Sequence, residues 1–567
     1  MELALGRAAV EAGLGLERRA GRALASGEGR AAASGDPAAL VRAAARGGGF
    51  AYLFPPSRPD PVDPDQDRRL AALAEALADA DMPGAGAARP GATPPGPVWA
   101  VISRLVEHDL AALVDAAPRF RAAADAPGRG AGLGLEGGPR DAAATEAALV
   151  NLRDGRLRLT SLYEPDAGPG PLADRLRALM REPQAEARLR LDRPEGGPAG
   201  AAGADLPRLA RLAGPDLAAA MARAGTASGW SLVRPADRSA AVIGDRRNDA
   251  DLAASQMHVA MIGFHNRVVD WLAETGGAPA DRLFDQARRL VVWHGQWLAL
   301  NVWLPRLCDP RTLARVRRAG APAFRRMVAR RRRAGALPGG ALPAPLETWC
   351  AAAHFRQTLE RARYDLNPGL RRAPAELLRR SGGAWLEGGR LPAARRVDWA
   401  LWMDGPAAGP DAVALDTRLA PEPGFARAQA ARALRTLRRG AALNLPSAQD
   451  CVAGFATLYS DLIRPLSPET LCGGHTGQAL RDGLAERTPI WAYVLREAET
   501  LGRGERLGPL GSALMAEAVI GALACDPESV WNRPGRGGGR WSPDLGARPD
   551  GVTVDSLEAF FAAAGTG

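Results

Sequence analysis

Between residues 244 and 272, apolar side chains recur every three or four positions. Ala254, Met257, Met261, Val268 and Leu272 share a face with His265, which is the spacing of a helix with a buried stripe. Asn248 or Asp249 is placed to cap its start, and Asp251 puts a carboxylate in the first turn, where the helix dipole favours negative charge. His258 and His265 stand nearly above one another; by periodicity alone they are core histidines bonded to backbone carbonyls. Further amphipathic segments fall near 280–304, 346–363, 424–440, 488–500 and 511–525, with another helix over about 98–116. Strand signals are few and short. The pattern predicts a mostly α protein. One large helical domain with long irregular loops covers 49–567, after an Ala/Arg-rich segment, 1–48, without definite structure. Proline- and glycine-rich stretches at 55–64, 83–97, 128–138 and 193–204 read as extended chain, a linker and insertions.

Composition changes this picture little. Hydrophobic residues make up 46% of the 567, enough for a sizeable core. There is no lysine, so all 73 basic residues are arginine, beside 66 glycines and 46 prolines. Such usage reflects a codon bias toward G and C, so the net charge of +10 is a weak guide to partners. The densest basic cluster, Arg325 to Arg333, reads as a solvated helix face. It lacks the interleaved aromatics of a nucleic-acid surface, so no nucleic-acid partner is expected. Cys308, Cys350, Cys451, Cys472 and Cys525 are odd in number and form no CxxC pair, against a disulfide framework or a zinc site. The most apolar run, 290–304, is broken by His294, Gln296 and Asn301. No membrane span and no leader are read, and a cytoplasmic location is expected.

The letters say more than the periodicity. Gly244-Asp245 through Arg247-Asn248-Asp249, followed by Phe264-His265-Asn266-Arg267-Val268-Val269-Asp270, resembles the animal-type haem peroxidases, especially their bacterial branch. Those have Gly-Asp-x-Arg-Asn-Asp-Glu-x-Leu leading into a helix that ends Phe-His-Asn-Arg-Val-Val-Asp. Trp293-His294-Gly295-Gln296-Trp297 through Leu304-Pro305-Arg306 looks like the family's Trp-His-Tyr-Gln-Trp…Leu-Pro-Arg. Asp416-Thr417-Arg418-Leu419-Ala420, Leu443-Asn444-Leu445-Pro446-Ser447-Ala448-Gln449-Asp450, Thr488-Pro489-Ile490-Trp491 to Glu499, and Gly504 to Gly511 extend the match. The resemblance implies a haem-peroxidase-like helical domain over roughly 49–567. It implies haem b as cofactor, with hydrogen peroxide and a small-molecule reductant as partners.

In such enzymes a distal histidine moves the peroxide proton, an arginine stabilises charge as the O–O bond breaks, and a proximal histidine holds the iron. By resemblance, Arg104-Leu105-Val106-Glu107-His108-Asp109 is the distal segment, where the family has Gly-Gln-Phe-x-Asp-His-Asp. His108 is then the distal base and Arg247 its partner. Arg104 replaces the family's Gln on the same face, and is expected to disfavour a protonated His108 and to fill the peroxide pocket. Glu107 stands for an Asp that can form an ester link to haem. Ala250 stands for the corresponding Glu and has no carboxylate, so any haem is expected to be non-covalent.

The proximal segment departs further. Aligned without gaps, 347–367 puts Gln357 at the ligand histidine and Arg356 at the small glycine before it. His354, one turn earlier, falls where an arginine pairs with a haem propionate. A neutral amide is a poor iron ligand beside imidazole. Three residues along a helix amount to about 4.5 Å, so ligation by His354 needs a shift of helix or haem. Asn444, which in the family bonds the proximal histidine, loses that partner. At the calcium loop, Asp109 and Thr160 retain ligating oxygens, but Arg158 sits where an Asp belongs. Arg158 is expected to pair with Asp109 in place of the ion. Two functions remain: a peroxidase impaired at its proximal ligand, or a non-catalytic pseudo-peroxidase keeping the fold for binding or assembly. A fatty-acid dioxygenase is a weaker third, because the position of its radical tyrosine is His354.

Overall fold

The computed structural model describes residues 47–56, 65–79, 92–115, 141–165, 171–192, 204–212, 241–337, 340–378, 391–404, 413–419, 426–460 and 462–566. The expected segment 1–48 lies outside them apart from Gly47 and Gly48. So, wholly or for the most part, do the stretches 55–64, 83–97, 128–138 and 193–204.

Helices dominate. The longer ones are α1 (Gln66–Leu77), α2 (Pro97–Leu110), α3 (Leu252–Glu274), α4 (Leu283–Leu298), α5 (Pro310–Ala319), α6 (Pro322–Arg333), α7 (Ala426–Ala442), α8 (Ala448–Tyr459), α9 (Ile490–Thr500), α10 (Pro509–Ala524) and α11 (Leu557–Ala563). The strands among the described residues form only two-stranded pairs. Phe50–Ala51 runs parallel to Ala344–Pro345, and Leu113–Asp115 runs antiparallel to Leu149–Asn151. The main apolar core runs from Phe50 to Ala564, with a small separate cluster of Leu176, Met180, Leu209 and Val242.

Two helices organise it. α10 is buried on every side from Leu510 to Leu523, as its apolar sequence requires. The α5–α6 hairpin packs on it so closely that a Cβ at Gly521 would meet Phe324 Cγ at 2.2 Å. α3 runs through the middle between α2, α4 and α11. It begins later than its sequence signals. Arg246–Asp249 forms a 3₁₀ turn capped by Asp245, and Asp251 is the helix N-cap, accepting from Ala254 N. Asp251 therefore caps the helix rather than lying in its first turn. No helix among the described residues is long and apolar enough to cross a membrane.

The segment read as one helix over 346–363 is broken. A short α turn, Leu346–Trp349, gives way at Ala351 (φ −138°, ψ −71°) to a 3₁₀ helix, Ala352–Leu359. The change matters, because a 3₁₀ helix places residues i and i+3 in eclipse. His354 and Gln357 thus lie directly above one another.

Candidate functional site

α2 carries the distal residues. Pro97 opens it at N1, where the missing N–H is no loss, and Arg104, Glu107 and His108 fall on one face. The ring of His108 is buried, and its Nδ1 lies 2.7 Å from Asn248 Oδ1. Asn248 Nδ2 lies 3.1 Å from His258 Nδ1. With Asn248 accepting from His108 and donating to His258, the Nε2 lone pair of His108 is left as a base. Burial, then the Arg247 guanidinium, push His108 down to about 3, so it is neutral near pH 7. The relay residue Asn248 was not singled out as functional from the sequence. Its position beside Arg247 in the Arg-Asn-Asp run was the available signal.

Arg247 is tied to a carboxylate and to the end of α2. Its guanidinium binds Asp245 through Nε (3.0 Å to each oxygen) and Nη2 (2.6 Å). It also donates to the carbonyls of His108 (2.8 Å) and Ala111 (3.0 Å). Arg247 therefore anchors the C-terminal end of α2, where carbonyls lack intrahelical partners. Asp245 is fully buried between Arg247 and Arg153. Burial opposes its ionisation, but the two guanidiniums outweigh it and hold the carboxyl well below the usual range.

The substitutions near the distal face form ion pairs. Arg104 binds Asp251, so its guanidinium closes on the cap of α3. The cation that holds His108 down is Arg247, not Arg104 as expected from the sequence. Arg356 donates from Nε to Glu107 at 3.0 Å and places Nη2 at the same distance. This pair joins the proximal 3₁₀ segment directly to α2. Arg432 on α7 pairs with Glu360. The Arg104–Asp251 and Arg432–Glu360 pairs and Arg356 line a cleft with Ala250, Tyr364 and Trp402.

On the proximal side, Gln357 Nε2 lies 2.9 Å from His354 Nδ1 and 3.2 Å from Thr436 Oγ1. With the amide so oriented, the lone pair of His354 Nδ1 is taken and its proton sits on Nε2. That atom and Gln357 Oε1 are buried without a hydrogen-bond partner. Burial and then Arg439, Arg356 and Arg432 hold His354 well below the ordinary histidine range. Asn444 is buried in a left-handed turn (φ 48°) just after α7. Gln357 bonds Thr436 of α7 instead.

In the 156–163 loop the expected Arg158–Asp109 pair does not form. Arg158 pairs with Asp526 (2.8 and 2.6 Å) and with Glu528 (2.8 Å). Asp109 accepts from Leu159 N (2.7 Å), Ser161 N (3.0 Å) and Thr160 Oγ1 (3.1 Å). Both its oxygens are used within a loop already tight: a Cβ at Gly244 would come within 2.5 Å of Ser161 O. Burial pushes Asp109 up to about 6. Asp109 and Thr160 are brought together, but as a hydrogen-bonded pair. Among the described residues no three His, Cys, Asp or Glu side chains cluster as a metal site.

No family model matches the sequence, and no curated protein matches it. Solved structures do match in three dimensions. Peroxidase A from Dictyostelium discoideum aligns at a TM-score of 0.52 over 86% of this chain and 90% of that one, with 12% identity. Fatty acid alpha-dioxygenase from Arabidopsis thaliana aligns at 0.52 over 93% and 81%, with 11% identity. The Oryza sativa fatty acid alpha-dioxygenase aligns at 0.50 over 85% and 76%, with 12% identity. The fold is peroxidase-like. At these identities the likeness is one of architecture, and chemistry must be argued from the side chains. In this peroxidase-like fold, the residues where the sequence resemblance would seat haem are engaged with one another. The ligand position holds an amide engaged with His354 and Thr436. Arg356 and Glu107 close on one another between the proximal segment and α2. Glu107 is committed to that pair, and Ala250 has no carboxylate.

Proposed function

We propose that this protein is a non-catalytic, peroxidase-fold protein that keeps the architecture for binding or assembly rather than for peroxide chemistry. The observation that carries this reading is the Arg356–Glu107 ion pair, made at 3.0 Å between the proximal 3₁₀ helix and α2. Both side chains are largely buried, at 13% and 14% exposure. Inserting a macrocycle there would separate two charges that have little solvent to replace their partner. Gln357 adds to the case, because a neutral amide neither holds nor tunes iron as imidazole does. Arg247, bound to Asp245 and to helix carbonyls, serves α2 mechanically.

A second reading is favoured by one observation, the partnerless, buried Nε2 of His354. In it His354 would ligate iron, and the partners would be hydrogen peroxide and a small reductant. The test is an absorption spectrum and pyridine haemochrome assay of protein expressed with excess haem precursor, followed by peroxide-dependent oxidation of a phenolic dye. The non-catalytic reading expects no stoichiometric haem and no activity above free haem. A full complement of haem whose Soret band is lost in His354→Ala would overturn it in favour of the second. We place the protein in the cytoplasm, which fractionation of the native host would check.

A further inference from the structure

A second hollow lies on the other face of α2. Ile102, Leu105 and Val106 point away from Arg104, Glu107 and His108 and, with Met257, Met261 and Phe264 of α3, wall a cavity of about 110 Å³. α4, α11, Leu157, Leu159 and Trp303 supply most of the rest of the lining, and the hollow is open on one side. No charged side chain lines it; the polar groups are Ser161 and His294. Burial pushes His294 down to about 4, so its ring is uncharged near pH 7. Interiors are normally packed with few voids larger than a water. A water needs at least two polar partners, whereas an apolar cavity of about 150 Å³ stays dry and takes benzene or xenon.

Gly295 explains why the space exists. It lies within α4, where glycine is unfavourable. Packing does not require it: the nearest atoms to a Cβ there belong to the Leu159 side chain, at an ordinary 3.4 Å or more. Gly295 stands where the motif it resembles, Trp-His-Tyr-Gln-Trp, carries tyrosine. The wall therefore lacks a side chain where that motif places a phenol ring. Two methionines one turn apart supply adaptable, polarisable contacts for a ring.

We propose that this cavity is a binding site for one small, neutral, single-ring aromatic molecule, seated in the space left by the missing side chain at Gly295. The site is independent of the charged cleft, because α2 separates the two.

The probe is p-cresol, the phenol of a tyrosine side chain, with benzene as its apolar counterpart. Calorimetric titration and thermal shift are run on wild type, Gly295→Ala and Gly295→Tyr. Wild type and Gly295→Ala are expected to bind one equivalent and to melt higher in saturating ligand. Gly295→Tyr is expected to melt higher without ligand and to lose roughly tenfold or more in affinity. Gly295→Leu and Ile102→Phe provide independent fillings should the tyrosine variant fail to fold. Absence of saturable binding to wild type, or binding undiminished in the filled variants, overturns the proposal.

Discussion

Substituting Glu107 by glutamine leaves Arg356 facing a neutral amide inside the fold. The wild-type pair has two guanidinium contacts to Glu107 Oε2, both at 3.0 Å, and side chains 13% and 14% exposed. Removing one partner of a buried pair costs about 3–5 kcal/mol. The residual exposure, and the acceptor that glutamine keeps, bring the expectation to about 2–4 kcal/mol. Arg356→Gln leaves the carboxylate stranded and falls in the same range. The double variant removes both charges, so its loss should fall short of the sum of the singles by about 2 kcal/mol. The pH dependence carries a sign as well. Burial pushes the Glu107 carboxyl up, but Arg356, and after it Arg247, outweigh it and hold it below its ordinary 4.5. A carboxyl lowered on folding contributes stability that is fully present above its unfolded value and is lost as pH falls through the folded one. The gap between wild type and Glu107→Gln should therefore be constant near neutrality and shrink below pH 4.5. Urea unfolding followed by tryptophan fluorescence, at several pH values, measures all four corners of the cycle. A coupling within about 0.5 kcal/mol of zero, the scatter of independent sites, would refute the pairing and with it the closed slot.

Four further outcomes follow from the same contacts. Gln357→His alone should not take up haem, because the Arg356–Glu107 pair still closes the slot; Gln357→His with Arg356→Gly should, read as a new Soret band after reconstitution. Chelator should leave the melting temperature unchanged, while Arg158→Ala, which strands the buried Asp526 carboxylate, should cost about 1–3 kcal/mol in urea unfolding. Asn248→Leu breaks the links to His108 and His258 and should cost about 2–3 kcal/mol by the same measurement. Gly521→Ala drives a methyl into the Phe324 ring and should destabilise by about 1–3 kcal/mol; a neutral result would show that α6 can slide on α10.

The helical architecture was legible because apolar spacing is local. α3, α4, α7 and α9 each carry their period in a single window of sequence, whereas α10, expected as amphipathic, is apolar all round; most of the observed limits lie within a few residues of the expected ones. The proximal segment was misread because nothing between Leu346 and Leu359 breaks a helix: no proline or glycine marks the turn at Ala351. Burial against α2 and α9 selects the tighter winding there, and that is a tertiary effect. The ion pairs were illegible for a different reason. Arg356 and Glu107 are 249 residues apart, and Arg158 and Asp526 are 368 apart. With arginine as the sole cation, each carboxylate has many candidate partners along the chain. Local alignment located the positions that changed; it could not show that Arg104, Arg356 and Arg158 had each found an acid elsewhere.

Arg247 carries a consequence for how such chains are sorted. Its guanidinium ties Asp245 to the last carbonyls of α2, so losing it would loosen a helix whether or not any peroxide is ever turned over. The need for a folded chain is then enough to keep the arginine in place, whatever reaction the chain does or does not carry out. The most recognisable stretch of the sequence thus answers a mechanical need of its own. A genome survey that counted active peroxidases by this stretch would count this chain among them. One that asked for histidine at position 357 would not.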